Sequence, residues 1–157
     1  MLGLVILLGV IAASSAVAAF RPSTSAEHFT SEGIHLESDS SGHAMFEAPA
    51  MAPGQTVTSK TEISYTGDAP AEIHIYGTTT GMRFARSLQL EVSREGETLY
   101  RGTLARFPDS YEHAVVDPHT WRGSTSATYR FDVTLMDRTA PQGAGASQTF
   151  TWEARSL

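Results

Sequence analysis

The sequence predicts an all-β chain: a single antiparallel β-sandwich, jelly-roll or immunoglobulin-like, preceded by a cleaved signal peptide and an extended N-terminal arm. Three observations carry this. After Phe20, apolar residues alternate with polar ones in short runs, the period of half-buried strands. Gly, Pro and Asp interrupt those runs at the spacing that turns between antiparallel strands need. All 11 Lys+Arg and all 17 Asp+Glu lie beyond residue 20, which separates an uncharged leader from sequence enough for one domain.

The leader comes first. Met1 to Phe20 reads MLGLVILLGVIAASSAVAAF, a dense apolar block from Leu2 to Ala13 followed by small residues ending Ala16-Val17-Ala18-Ala19, the pattern of a secretory signal peptide. Either Ala16 and Ala18 or Val17 and Ala19 suit the signal-peptidase pocket, so cleavage is expected just before Ala19 or just before Phe20. A basic stretch ahead of the apolar block is missing. As a helix the segment would be about 30 Å long at about 1.5 Å per residue, enough for an uncleaved membrane anchor. Ser14, Ser15 and the alanines dilute its apolar character, which favours cleavage. Both readings export the domain to the cell surface or beyond, with membrane contact only through this segment. The expected organisation is a signal peptide over residues 1–19, an arm over 20–29 and a β-sandwich over 30–157.

Arg21 to Glu32 is polar, rich in Ser and Thr, and opened by Pro22, the composition of an extended arm. Strands then follow at Ile34 and Leu36; Val57, Ile63 and Tyr65; Ile73 and Ile75; Leu88, Leu90 and Val92; Tyr129, Phe131, Val133 and Leu135; and Phe150 and Trp152. Breaks are expected at Pro53-Gly54, Gly67-Asp68-Ala69-Pro70, Gly81, Glu95-Gly96-Glu97, Pro108-Asp109, Arg122-Gly123-Ser124 and Pro141-Gln142-Gly143. Phe107 to Val116 is irregular and leaves room for a short helix.

Composition removes several function classes. A net charge of −6 repels phosphate backbones and anionic headgroups, which argues against a nucleic-acid partner. No cysteine is present, so disulfides, thiolate metal sites and Cys nucleophiles are excluded. Asn is also absent, which removes N-glycosylation and the Asn-Gly hairpin turn. The single lysine, Lys60, follows no Gly-rich loop, so phosphate-loop chemistry has no carrier.

The six histidines offer no H-E-x-x-H helix motif. His28, Glu32 and His35 would share a helix face, but they stand where the chain turns to strand. His113, Asp117 and His119, beside Glu112, have loop character and are the residues that could collect an exposed cation; solvated loop histidines are the competing reading. No G-x-S-x-G elbow and no carboxylate pair stand out, so no catalytic residue, resident metal or cofactor is expected. Trp152 continues the alternating run from Phe150 and reads as core, whereas Trp121, beside Arg122, is the candidate surface-binding side chain.

The order of several short motifs resembles the TasA/camelysin family of exported bacterial β-sandwich proteins. Ala18-Ala19-Phe20 stands at the signal junction. Phe29 to Leu36 is similar to the family's first strand, F-x-S-G-x-L-x-L, with Glu32 as an extra residue. Met51 to Val57 looks like its L-x-P-G-[DQ]-x-V turn, and Tyr65-Thr66-Gly67 with Ala71-Glu72-Ile73 like its N-x-G-x-x-x-A-x-[VI] segment, Thr66 replacing Asn. Thr98 to Leu104 matches LY-x-G-x-L, and Gln142-Gly143 with Gln148 to Ala154 resembles the closing strand. The family's larger insertions between later strands are missing. The resemblance implies a secreted jelly-roll domain, released by a dedicated signal peptidase, that polymerises into matrix fibres as each subunit's N-terminal segment fills a strand position in the next. Phe20 and Phe29 would anchor the donated arm, and Pro22 would sit where no N–H is needed. Some members are metal-dependent peptidases, but no zinc triad is recognisable here, so that activity is not carried over.

The functional expectation is a structural protein of the cell surface or extracellular matrix that associates with itself or with related matrix subunits. The alternative is a monomeric module that holds a cell-wall polymer through Trp121 and the stretch from Glu112 to His119; a metallopeptidase ranks below both.

Overall fold

Alternating burial organises the long strand on which the other elements are arranged. The computed structural model describes residues 19–26, 34–39, 51–136 and 145–157. Within strand β3 (Thr56–Thr80), Ile63, Tyr65, Ala71, Ile73 and Ile75 are buried, and the residues between them are exposed or half-buried. The preceding strands are β1 (Ala19–Ala26) and β2 (Ile34–Ser38). After β3 come a one-turn helix, α1 (Met82–Ala85), and strands β4 (Leu88–Arg94), β5 (Glu97–Thr103), β6 (Val115–Val116), β7 (Trp121–Leu135) and β8 (Gly145–Ser156). The protein is thus a mostly antiparallel β-sheet structure with little helix, as the alternation predicts.

One expected break is a bend instead. Gly67-Asp68-Ala69-Pro70 does not end a strand; β3 runs through it and changes partners. Its first half pairs antiparallel with β7, from Thr56 opposite Thr134 to Gly67 opposite Gly123, and with β2 on its other side. Its second half pairs with β8, from Ala71 opposite Ser156 to Thr80 opposite Ser147, and briefly with β6. The register shifts between Gly67 and Ala71, a bulge in which Pro70 needs no ladder N–H. The Tyr65 hydroxyl donates to the Ala69 carbonyl and fixes the corner. Arg122-Gly123-Ser124, a second expected break, also lies inside a strand. Gly123 has φ +60° and faces Gly67, so two presumed strand ends are the two sides of one bend.

Other breaks behave as expected. Glu95 and Gly96, with φ +51° and +90°, form a two-residue hairpin turn between β4 and β5. Gly81, at φ +67°, opens α1 by accepting hydrogen bonds from the amides of Phe84 and Ala85. The irregular stretch from Phe107 holds a 3-10 turn at Tyr111–His113, and another turn, Leu104–Arg106, precedes it. Pro141-Gln142-Gly143 lies outside the described residues.

The core joins strands that share no ladder with each other. Phe131 on β7 stands 4.5 Å from Phe150 and 6.0 Å from Trp152 on β8, ring centre to ring centre, and Tyr129 is 5.9 Å from Trp152. Leu88, Leu90 and Val92 of β4 are equally buried. Each such side chain contributes about 1.5–3 kcal/mol by leaving water.

The segment expected as an arm is described in part. β1 lies parallel to β8 of the same chain, from Ala19 opposite Gly145 to Ala26 opposite Trp152, with Pro22 opposite Gln148. Ala18 and Phe29 lie outside the described residues.

Candidate functional site: a buried carboxylate beside an exposed histidine

Asp117 sits between β6 and β7, where its amide continues the β6 pairing by donating to the Ile73 carbonyl at 2.9 Å. Its side chain turns inward and is fully buried. Arg94, the last inward residue of β4, is carried to the same point because the hairpin turn begins immediately after it. Trp121 opens β7, and Tyr129 lies further along that strand on the buried face.

Five donors converge on the two carboxylate oxygens. Oδ2 accepts from Arg94 Nη1 at 2.6 Å, from the Trp121 indole at 3.2 Å and from the Tyr129 hydroxyl. Oδ1 accepts from the His119 amide at 3.0 Å and lies 2.9 Å from His119 Nδ1. The Arg94 guanidinium also rests over the Trp121 ring, 4.8 Å from its centre. Burial alone would raise the Asp117 pKa, but the bonds from Tyr129, His119 and Arg94 together outweigh it and hold the carboxyl below its ordinary range. Burial, reinforced by the Asp117 charge, pushes the Tyr129 hydroxyl well above its ordinary value.

Chemically, the cluster holds one imidazole. The His119 side chain is 44% exposed and is oriented through Nδ1, so Nε2 is its solvent-side nitrogen. Such a group becomes a general base only with a nucleophile or metal at Nε2. Among the described residues no three His, Asp or Glu side chains gather to hold a metal ion. Of the three loop residues considered for a cation, Asp117 and His119 meet. His113 instead pairs with Ser110 Oγ at 3.2 Å.

Trp121 corrects the expectation of a surface-binding side chain. It is fully buried, edge-on to Tyr65 at 6.3 Å, and its indole N–H finds its partner in Asp117. The ring is drawn inward because the first residue of β7 already pairs with Ala71 at the bend.

A second polar cluster escaped sequence reasoning. On the outer face of β3 and β8, His74 stacks on Tyr111 at 4.4 Å, and Arg155 donates to the Tyr111 hydroxyl at 3.2 Å. His74 Nε2 lies 3.5 Å from Glu72, while its Nδ1 is buried without a partner among the described residues. The polar positions of the run Glu72-Ile73-His74-Ile75-Tyr76 were its only local signal. The outer face of β3, β4 and β7 carries a shallow groove with Lys60, Glu91, Arg130 and Asp132, where Arg130–Asp132 and Arg101–Glu91 pairs at 2.8 Å neutralise much of the charge.

Comparison with protein-family models gives no match, and no curated protein matches the chain.

Proposed function

We propose that the chain is an exported structural β-sandwich of the bacterial cell surface or extracellular matrix, of the TasA/camelysin type, which polymerises by donating its N-terminal strand to a neighbouring subunit. Two layers would be formed by the halves of β3 with their respective partners, and the Phe131, Phe150 and Trp152 rings would fill the space between.

The observation that carries the reading is the pairing of β1. It is a parallel ladder of eight residues on the edge of β8, next to the predicted cleavage junction. A strand held at an edge by main-chain hydrogen bonds can make the same bonds to the β8 of a second copy, so exchange costs little enthalpy and is governed by concentration. Removal of residues 1–19 would free the end of that strand, which makes cleavage the assembly switch. A monomeric module built on Trp121 has lost its contact residue to the core.

The test is size-exclusion chromatography with light scattering, followed by negative-stain imaging, on the chain beginning at Phe20 with and without residues 20–29. Concentration-dependent oligomers or rods that vanish with the arm are expected. A monomer at every concentration, or growth that persists without the arm, overturns the proposal.

A further inference from the structure

Arginines stand on the two short turns at the end of the β4–β5 hairpin opposite its turn, and two of them, Arg86 and Arg106, line one cavity. Arg83 and Arg86 belong to α1 and its last-turn cap, and Arg106 ends the 3-10 turn that follows β5. The two turns pack on each other and border a surface cavity of about 670 Å³ lined by Met82, Arg86, Thr103, Ala105 and Arg106. No acid lines it. Among the described residues, none of the three guanidinium groups has an ion-pair or hydrogen-bond partner, in a chain with 17 acidic side chains and a net charge of −6.

Both mounts are rigid. Phe84 and Ala85 are buried directly before Arg86, and the Ser87 amide closes the turn onto the Phe84 carbonyl at 2.8 Å. Leu104 and Phe107 are buried on either side of Arg106, and the Tyr100 hydroxyl donates to the Thr103 carbonyl at 2.9 Å. The fold thus places the like charges of Arg86 and Arg106 beside one cavity with no acidic partner among the described residues, an arrangement that an incoming anion would neutralise. Guanidinium is also the cation best matched to the two oxygens of a carboxylate or phosphate. Met82, 46% exposed, supplies an apolar wall against which the carbon skeleton of a sugar or glycerol unit can lie.

We propose that this cavity is a binding site for the oxyanion groups of an acidic polymer, with Arg86 and Arg106 clasping one carboxylate or phosphate and Met82 covering the adjoining unit. The site is independent of the N-terminal strand and of the assembly reading above.

The experiment is an NMR amide titration of the full chain, expressed in an exporting host and purified in the form that host yields, with two probes: an oligogalacturonate for carboxylate and a short polyphosphate for phosphate. Saturable shifts confined to residues 82–87 and 103–106 are expected with at least one probe, and the stronger probe names the source. Arg86→Ala/Arg106→Ala should weaken that binding about tenfold or more while leaving the thermal midpoint unchanged, because neither guanidinium gives up a partner among the described residues. Arg86→Lys/Arg106→Lys should retain part of it. Shifts elsewhere on the surface, no saturation with either probe, or equal affinity in the alanine variant would each overturn the assignment.

Discussion

Asp117→Asn keeps the shape of the side chain and removes its charge, so it isolates what the buried carboxylate contributes. Arg94 has a side-chain exposure of 7%, and its Nε already lacks a partner among the described residues, so the variant leaves a buried guanidinium without its anion. Breaking a buried pair in this way costs about 3–5 kcal/mol. The amide also cannot satisfy both sides: whichever way it is turned, its NH2 meets a donor, either the His119 amide or the trio of Arg94, Trp121 and Tyr129. The loss should therefore be at least about 3 kcal/mol, with a thermal midpoint lower by something on the order of 10 °C. Urea unfolding followed by the fluorescence of Trp121 and Trp152 measures it. The pH dependence has a definite sign. Because the folded-state pKa of Asp117 is depressed, its contribution is complete above the unfolded-state value of about 3.9 and is lost as pH falls through the folded-state value. The gap between wild type and variant should narrow below about pH 4. A loss under about 1 kcal/mol, or a gap that does not narrow in acid, would refute the reasoning.

Trp121→Ala should cost about 3–5 kcal/mol, as a core truncation does, and the same urea titration reads it through Trp152. Gly77→Ala would place a Cβ 1.9 Å from the Thr149 carbonyl oxygen and 2.6 Å from Gln148 Nε2, so β3 and β8 must separate locally. A loss of about 1–3 kcal/mol or more is expected, with faster amide exchange along both strands. Glu95→Asn should raise stability by up to about 1 kcal/mol, because Glu95 holds φ +51° in a turn that suits Asn-Gly; an unchanged denaturation midpoint would count against that account.

What the sequence disclosed depended on whether the signal was local. Leu88, Leu90 and Val92, and Tyr129 through Leu135, alternate in sequence because each alternate residue faces the same core, so their strands were legible. β5 is an edge strand with no clean alternation in burial, so no period of two marked it in the sequence. Gly67, Pro70 and Gly123 were visible as irregularities, but a bulge and a strand end draw on the same residue types, and only the cross-strand pairing of Gly67 with Gly123 distinguishes them. Trp121 misled because its sequence neighbours Thr120 and Arg122 are exposed. Its indole partner, Asp117, lies only four residues away, and that spacing was the one available hint. The site itself depends on Arg94, 23 residues from Asp117, and no local pattern announces a contact of that range.

The position of that contact explains why a buried ion pair is present at all. Between β5 and β7 the chain runs from Leu104 to Thr120 with two short turns and a two-residue strand, and its ladder bonds alone hold it weakly to the second half of β3. A cysteine-free chain has no disulfide to pin such a connection. Asp117 performs that task by bonding at once to β4 through Arg94, to β7 through Trp121 and Tyr129, and to its own loop through His119. Since Arg94 also precedes the hairpin turn, the same pair fixes the register in which the β4–β5 edge meets β7. Altering the His119 side chain, which is held from its Nδ1 side, removes one contact of that clamp and leaves the bonds to Arg94, Trp121 and Tyr129 in place. His119→Ala keeps the backbone donor to Oδ1, and so it should cost less than about 1 kcal/mol where Asp117→Asn costs several. Urea titrations that gave the two variants equal losses would mean that the imidazole, rather than the Arg94–Asp117 pair, secures the connection.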